Sequence, residues 1–369
     1  MDFTYSEEQQ MLADSLRRFV ASECTFETRR RNAREHGSFD RAVWSSLAEI
    51  GVLGLAVPAE YGGVGEGPAS QAVVQRELGR GLVQEPVIPG AVIATAILRQ
   101  FAPAALQAEW LPALANGEKV FAVAYLEPTT RYRADTAHAE ARKQEANGYV
   151  LNGTKSVVWH GDAADTYLVS AKLDGVLALF LMRRDAPGLT VSGYPTMDRL
   201  SGADLKLVDV PVTLVTTNGL DALELGLDHG IAAQCAAAAG TMERLIEITA
   251  EYLATRKQFG KPLASFQALQ HRVAEMLMQK ELALSMAYVA AQGLDATDIA
   301  ERRRKVSAAK VVTARAARFV GQQAVQLHGG MGMTDELEVG DYFKALTMVD
   351  VLLGDTDLHM ERYTEAMAA

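Results

Sequence analysis

Residues 230–259, GIAAQCAAAAGTMERLIEITAEYLATRKQF, read as one helix with no internal breaker. At 1.5 Å per residue such a rod is about 45 Å long. It must bury its apolar side against helices of similar length, and two further runs supply them. SFQALQHRVAEMLMQKELALSMAYVAAQGL opens with Ser265 as its expected cap. A third run starts at the Asp298…Glu301 capping box and reaches the double glycine Gly329-Gly330. A last helical segment follows DELEVGDYFKALTMVDVLL, and the small residues Ala236 to Gly240 let neighbours approach closely. The spacing predicts an up-down helical bundle over residues 217–369.

The preceding chain divides in two. Residues 1–118 are helical in pattern: Ser6 and Gln9 form a capping box, Leu12, Leu16, Phe19 and Val20 share one face, and LQAEWLPALANG ends at Gly117. From 119 to 216 the period becomes two, in FAVAYLEP, YVLNGTKSVVW, TYLVSAKLDGVLALFLM and LKLVDVPVTLV. Asn152-Gly153 and Asp174-Gly175 are hairpin turn signals, because type I′ turns need φ > 0. The expected class is α+β and multi-domain: a helical N-terminal domain, a central antiparallel β-domain and a C-terminal helical bundle.

Composition excludes several functions. A net charge of −10 argues against nucleic acid as main partner, since that needs a basic surface. The opening MDFTYSEEQQ has no basic, apolar leader pattern, and no run of about 18 apolar residues would span a bilayer. A cytoplasmic chain without membrane contact is expected. Cys24 and Cys235 stand far apart, and no His pair has ligand spacing, so no disulfide or metal is expected.

The informative place is the break at Gly260-Lys261-Pro262. Gly260 is expected to stop one helix, Pro262 to keep it from resuming and Ser265 to start the next. Arg256, Lys257 and Lys261 flank the break, with Gln258 and Phe259 between them. A guanidinium beside a fresh helix N-terminus suits a pyrophosphate, and the same composition suits a solvated basic turn. Gln326-Leu327-His328-Gly329-Gly330-Met331-Gly332 is a second candidate, since its glycines permit close backbone approach.

Together RKQFGKPL, FQALQHRVAEM and QLHGGMGMTDE, with the AVPAEYGGVG loop further upstream, resemble the acyl-CoA dehydrogenase family of flavoproteins. The resemblance implies that family's fold, FAD as cofactor and α,β-dehydrogenation of an acyl-CoA thioester. It also implies a cofactor shared across a dimer interface, with one subunit reaching over to the pyrophosphate and adenine side of the other's FAD. On that reading Arg256 pairs with the pyrophosphate and Phe259 packs on the cofactor. Leu263, Phe266, Gln267 and Gln270 line the adenosine part, and Gln326, Gly329 and Gly330 complete the arm.

The other half departs from the family. Dehydrogenation needs a carboxylate base for the α-proton, and family members carry it at one of two stations, which here are Gly354 in LLGDTDLH and Gly230 in GLDHG. Where the family has T-E-P-x-x-G-S-D this chain has LEPTTRYRAD, with Leu126 at the Thr position. Its W-I-T becomes Val157-Val158-Trp159, while Thr356 keeps one family hydroxyl. A whole arm beside a lost base resembles the non-catalytic subunit of the heteromeric α2β2 acyl-CoA dehydrogenases of bacterial steroid side-chain degradation. Its expected partner is a related catalytic subunit, in a dimer of heterodimers. Two rivals stay open: a self-sufficient enzyme with an unusual base such as Asp355, and a cofactor-free scaffold.

Overall fold

The computed structural model describes residues 5–35, 37, 39–144 and 148–368. In the N-terminal part the helices are α1 (Glu7–Glu23), α2 (Phe26–Glu35), α3 (Arg41–Glu49), α4 (Pro68–Arg80), α5 (Ala94–Phe101) and α6 (Ala104–Ala115). Seven strands follow: β1 (Phe121–Ala124), β2 (Glu140–Lys143), β3 (Tyr149–Trp159), β4 (Thr166–Leu173), β5 (Val176–Arg183), β6 (Leu189–Pro195) and β7 (Ser201–Thr216). After them come α7 (Gly219–Thr255), the two-residue strands β8 (Lys257–Gln258) and β9 (Lys261–Pro262), α8 (Gln267–Gly293), α9 (Ile299–His328), α10 (Val339–Met348) and α11 (Thr356–Ala368). The α+β arrangement of helical start, β middle and helical end is the one expected.

Two compact units interleave along the chain. One comprises Met1–Arg30, Pro68–Val83 and Ile231–Ala369, the other Arg31–Gly67 and Gln84–Gly230. Among the described residues no helix is long and apolar enough to cross a membrane.

In the first unit the Ser6/Gln9 capping box starts α1. Its helices pack around Met242, Leu245, Met276, Ala317, Val320 and Tyr342. The small stretch on α7 serves close approach, because a Cβ on Gly240 would lie 1.9 Å from the Arg76 carbonyl oxygen on α4.

The second unit holds the sheet, with strand order β1-β4-β2-β3-β7-β5 and β6 on β7. Most pairings are antiparallel, but β1 and β2 both run parallel to β4. Alternation marks which face of a strand is buried, not which neighbour it takes. Asp174 and Gly175 have φ of 51° and 84° and turn β4 into β5 as expected. Asn152-Gly153 does not turn. It lies inside β3, where the register against β7 shifts, and a Cβ on Gly153 would come within 2.8 Å of Ala139. The glycine marks a bulge and a close strand approach.

Glu85 is buried in this unit, and burial pushes its carboxyl up to about 8. The folded chain therefore holds a proton that the unfolded chain loses near 4.5. Stability should fall as pH rises between about 4.5 and 8, by up to about 1.4 kcal/mol per pH unit. Urea unfolding across that range should show Glu85→Gln removing this slope; a variant with the wild-type slope would contradict the assignment.

Candidate functional site

The helix α7 ends at Thr255, earlier than glycine placement suggests. Instead of stopping a helix, Gly260 closes a β-hairpin in which Lys257 pairs with Pro262 and Gln258 with Lys261. Phe259 and Gly260 both have positive φ, 52° and 80°, the signature of a type I′ turn. Holding a phenylalanine there costs on the order of 1–2 kcal/mol. In return the ring stands 90% exposed at the hairpin tip, edge-on to Phe266 at 6.2 Å. Lys261 Nζ lies 4.4 Å from the Phe266 ring centre.

The expected cap also moves. Phe266, not Ser265, is the N-cap of α8, and no side chain caps it; the Ser265 hydroxyl donates to the Pro262 carbonyl at 2.7 Å. The amides that open α8 are thus left without a side-chain acceptor. Gln267 and Gln270 are exposed on this first turn and Leu263 is half-buried beneath it. Gln270 donates to the Ala264 carbonyl at 2.8 Å.

A residue that sequence reasoning missed brings the second loop here. Tyr252, one turn before Arg256, stacks on His328 with ring centres 4.4 Å apart. His328 Nδ1 bonds the Ala324 carbonyl at 2.8 Å, and burial lowers its pKa, which keeps the ring neutral. The stack fixes the end of α9, so exposed Gln326 and the Gly329-Gly330 pair belong to the same end of the bundle as the hairpin. Neither glycine has anything within 4 Å of the place a Cβ would take. Among the described residues the exposed Arg256 guanidinium makes no ion pair. Cation, open amides, exposed aromatic ring and clear backbone together fit an extended anionic ligand with a planar end.

The turn before α11 is built the opposite way. Lys310 on α9 is fully buried, and burial pushes its ammonium down to about 8. It donates to Gln234 Oε1 at 2.5 Å and to the carbonyls of Val349 at 2.5 Å and Leu352 at 2.6 Å. Asp350, between those carbonyls, accepts both the amide (2.9 Å) and the hydroxyl (2.6 Å) of Thr356 on one oxygen, and Arg318 at 2.7 Å on the other. Asp355 accepts the Leu358 amide at 2.9 Å, capping α11. Two of the amides that open this helix, those of Thr356 and Leu358, are therefore taken by carboxylates of the same chain. Lys310 is the one charged residue among the small and apolar residues of SAAKVVTA, which is the signal that could have marked it.

Gly354 lies in the same turn with φ of 99°. A Cβ there would sit 2.7 Å from Leu358 Cδ2 and 2.8 Å from His359 Nε2. That imidazole cannot step aside easily: Nε2 donates to the Leu353 carbonyl at 2.9 Å and Nδ1 faces the Ser307 hydroxyl at 3.3 Å. Burial pushes its pKa down to about 3, so it is neutral. The other station, Gly230, is buried within α7.

In the sheet unit lie Leu126 and Trp159, the residues that the sequence resemblance sets against family threonines. Trp159 stacks on His160 at 5.8 Å, and its buried Nε1 has no partner among the described residues. Glu127, next to Leu126, forms a buried pair with Lys155 at 2.6 Å and accepts the amides of His138 and Ala139. Burial raises its carboxyl, but the bonds to Lys155 outweigh that and hold it below the usual range.

Comparison with known proteins gives the family. Models of the acyl-CoA dehydrogenase N-terminal, middle and C-terminal domains match residues 6–118, 122–210 and 217–368. Acyl-CoA dehydrogenase FadE27 of Mycobacterium tuberculosis is 31% identical, the match covering 100% of this chain and 99% of that protein. A solved chain of a Tcur3481-Tcur3483 steroid ACAD variant is 29% identical with a TM-score of 0.90, covering 98% of each chain. One from the ChsE4-ChsE5 complex of Mycobacterium tuberculosis is also 29% identical with a TM-score of 0.90, over 100% of this chain and 99% of that one. With models of all three domains matching in order along nearly the whole chain, the chain belongs to the acyl-CoA dehydrogenase family.

Proposed function

We propose that this chain is the subunit of a heteromeric, cytoplasmic acyl-CoA dehydrogenase that carries no catalytic base. It lends its phosphate-gripping arm to the FAD of a related catalytic partner, in a dimer of heterodimers. The observation that carries the reading is Gly354: its backbone lies in the left-handed region and its Cβ space belongs to Leu358 and His359. A base cannot be seated there without moving a buried, doubly bonded imidazole.

FAD, when bound, supplies the acceptor for the hydride that leaves the β-carbon. This chain's own residues hold the far end of that cofactor. Arg256 neutralises pyrophosphate charge, and Phe259 covers the cofactor from the hairpin tip. Leu263, Phe266, Gln267 and Gln270 receive the adenosine part, while Gln326, Gly329 and Gly330 offer backbone and amide donors. The acyl-CoA itself sits mainly on the partner. The solved neighbours, a steroid ACAD and the ChsE4-ChsE5 complex, support a heteromeric assembly and a bulky acyl group. Against Asp355 as substitute base, its carboxylate is engaged at the start of α11.

The test is FAD per chain after co-expression with the partner. One FAD per two chains is the expected result. One per chain would favour the self-sufficient enzyme, and none the cofactor-free scaffold.

A further inference from the structure

Two helix N-termini in one unit are finished in opposite ways. That of α8, in the arm, has no side-chain cap. That of α11 is closed twice, by Asp350 on Thr356 and by Asp355 on Leu358. Beside α11 runs a cleft of about 470 Å³, lined among others by Arg315, Arg318, Gln322, Asp355, Thr356 and Asp357. A guanidinium pair, a hydroxyl and a helix N-terminus make an anion site in principle. Here an internal anion has taken it. One Asp350 oxygen receives both Thr356 donors and the other receives Arg318, so these donors are spent on a carboxylate of the chain itself. Lys310 holds the carbonyls on both sides of Asp350, so the carboxylate is fixed on that site by the backbone.

We infer that Asp350 is a built-in phosphate mimic that shuts this chain's own Thr356 half of the cofactor site. It determines that the chain gives an arm to one FAD and receives none. The inference rests on the arm-lending reading and supplies its cause within this chain: an incoming pyrophosphate would have to displace a fixed carboxylate and lie beside those of Asp355 and Asp357. Thr356, expected from the family pattern to touch the cofactor, is instead spent on Asp350.

The probe is ADP, titrated calorimetrically and by phosphorus NMR into the isolated full chain, with the arm silenced by Arg256→Ala. In that background ADP should show no saturable binding. Adding Asp350→Ala should open a site at least tenfold tighter than the background, and further addition of Arg318→Ala should abolish it. Asp350→Asn serves where the alanine variant does not fold; it keeps an acceptor for Thr356, releases Arg318, and should bind ADP between the two extremes. No gain of binding in either folded variant would overturn the inference, as would a gain indifferent to Arg318→Ala. Because no partner is present, this result is independent of the FAD count in the complex.

Discussion

Arg256→Ala in the complex with the partner is expected to weaken FAD retention by roughly 10- to 150-fold. The figure follows from losing a hydrogen-bonded charge, worth about 1.5–3 kcal/mol, with 1.4 kcal/mol equal to a factor of ten. Arg256 is exposed in the isolated chain, and among the described residues its guanidinium has no other task, so the folded chain should not notice the change. Its thermal midpoint should stay at the wild-type value while the complex loses its yellow colour on gel filtration. Arg256→Lys should recover only part of the affinity, since an ammonium cannot grip two phosphate oxygens in the plane that a guanidinium offers. Undiminished FAD in the alanine variant would remove the arm from the account.

Gly354→Glu, which puts a carboxylate at the proposed base station, is expected to destabilise the chain by about 2–5 kcal/mol and to give no activity. A residue with a Cβ at positive φ costs about 1–2 kcal/mol, and overpacking a filled site costs about 1–3. Leu358 can yield at its flexible end. His359 cannot yield as easily, because its ring bonds Leu353 and Ser307 and a rotation would strand both. At Gly354, then, backbone and packing both oppose a longer side chain. Denaturant unfolding and a thioester oxidation assay read the two halves of the prediction. A stable variant that oxidises substrate without a partner would contradict it.

Much of this architecture was legible because it is local. The Ser6/Gln9 box, the Asp174-Gly175 turn and the long helical runs each depend on residues within a few positions of one another. The hairpin tip was not, because a phenylalanine in the left-handed region contradicts its own preference and is tolerated only where Gly260 completes the turn. Reading Gly260 as a helix stop was reasonable chemistry applied to the wrong element. The closed half of the site was invisible for another reason. Lys310 reaches carbonyls 39 and 42 residues away, and Arg318 meets Asp350 across 32. Such separations leave no periodic trace in a sequence. Motif comparison identified Gly354 and Thr356, but only the packing tells why the first cannot be refilled and where the second spends its hydroxyl.

The most direct measurement is anaerobic flavin bleaching by an acyl-CoA thioester, followed by absorbance, first with this chain alone in excess FAD and then after adding the catalytic partner. The account predicts no bleaching by the chain alone and bleaching of one flavin per two chains once the partner is present. Stoichiometric bleaching by the chain alone would contradict it.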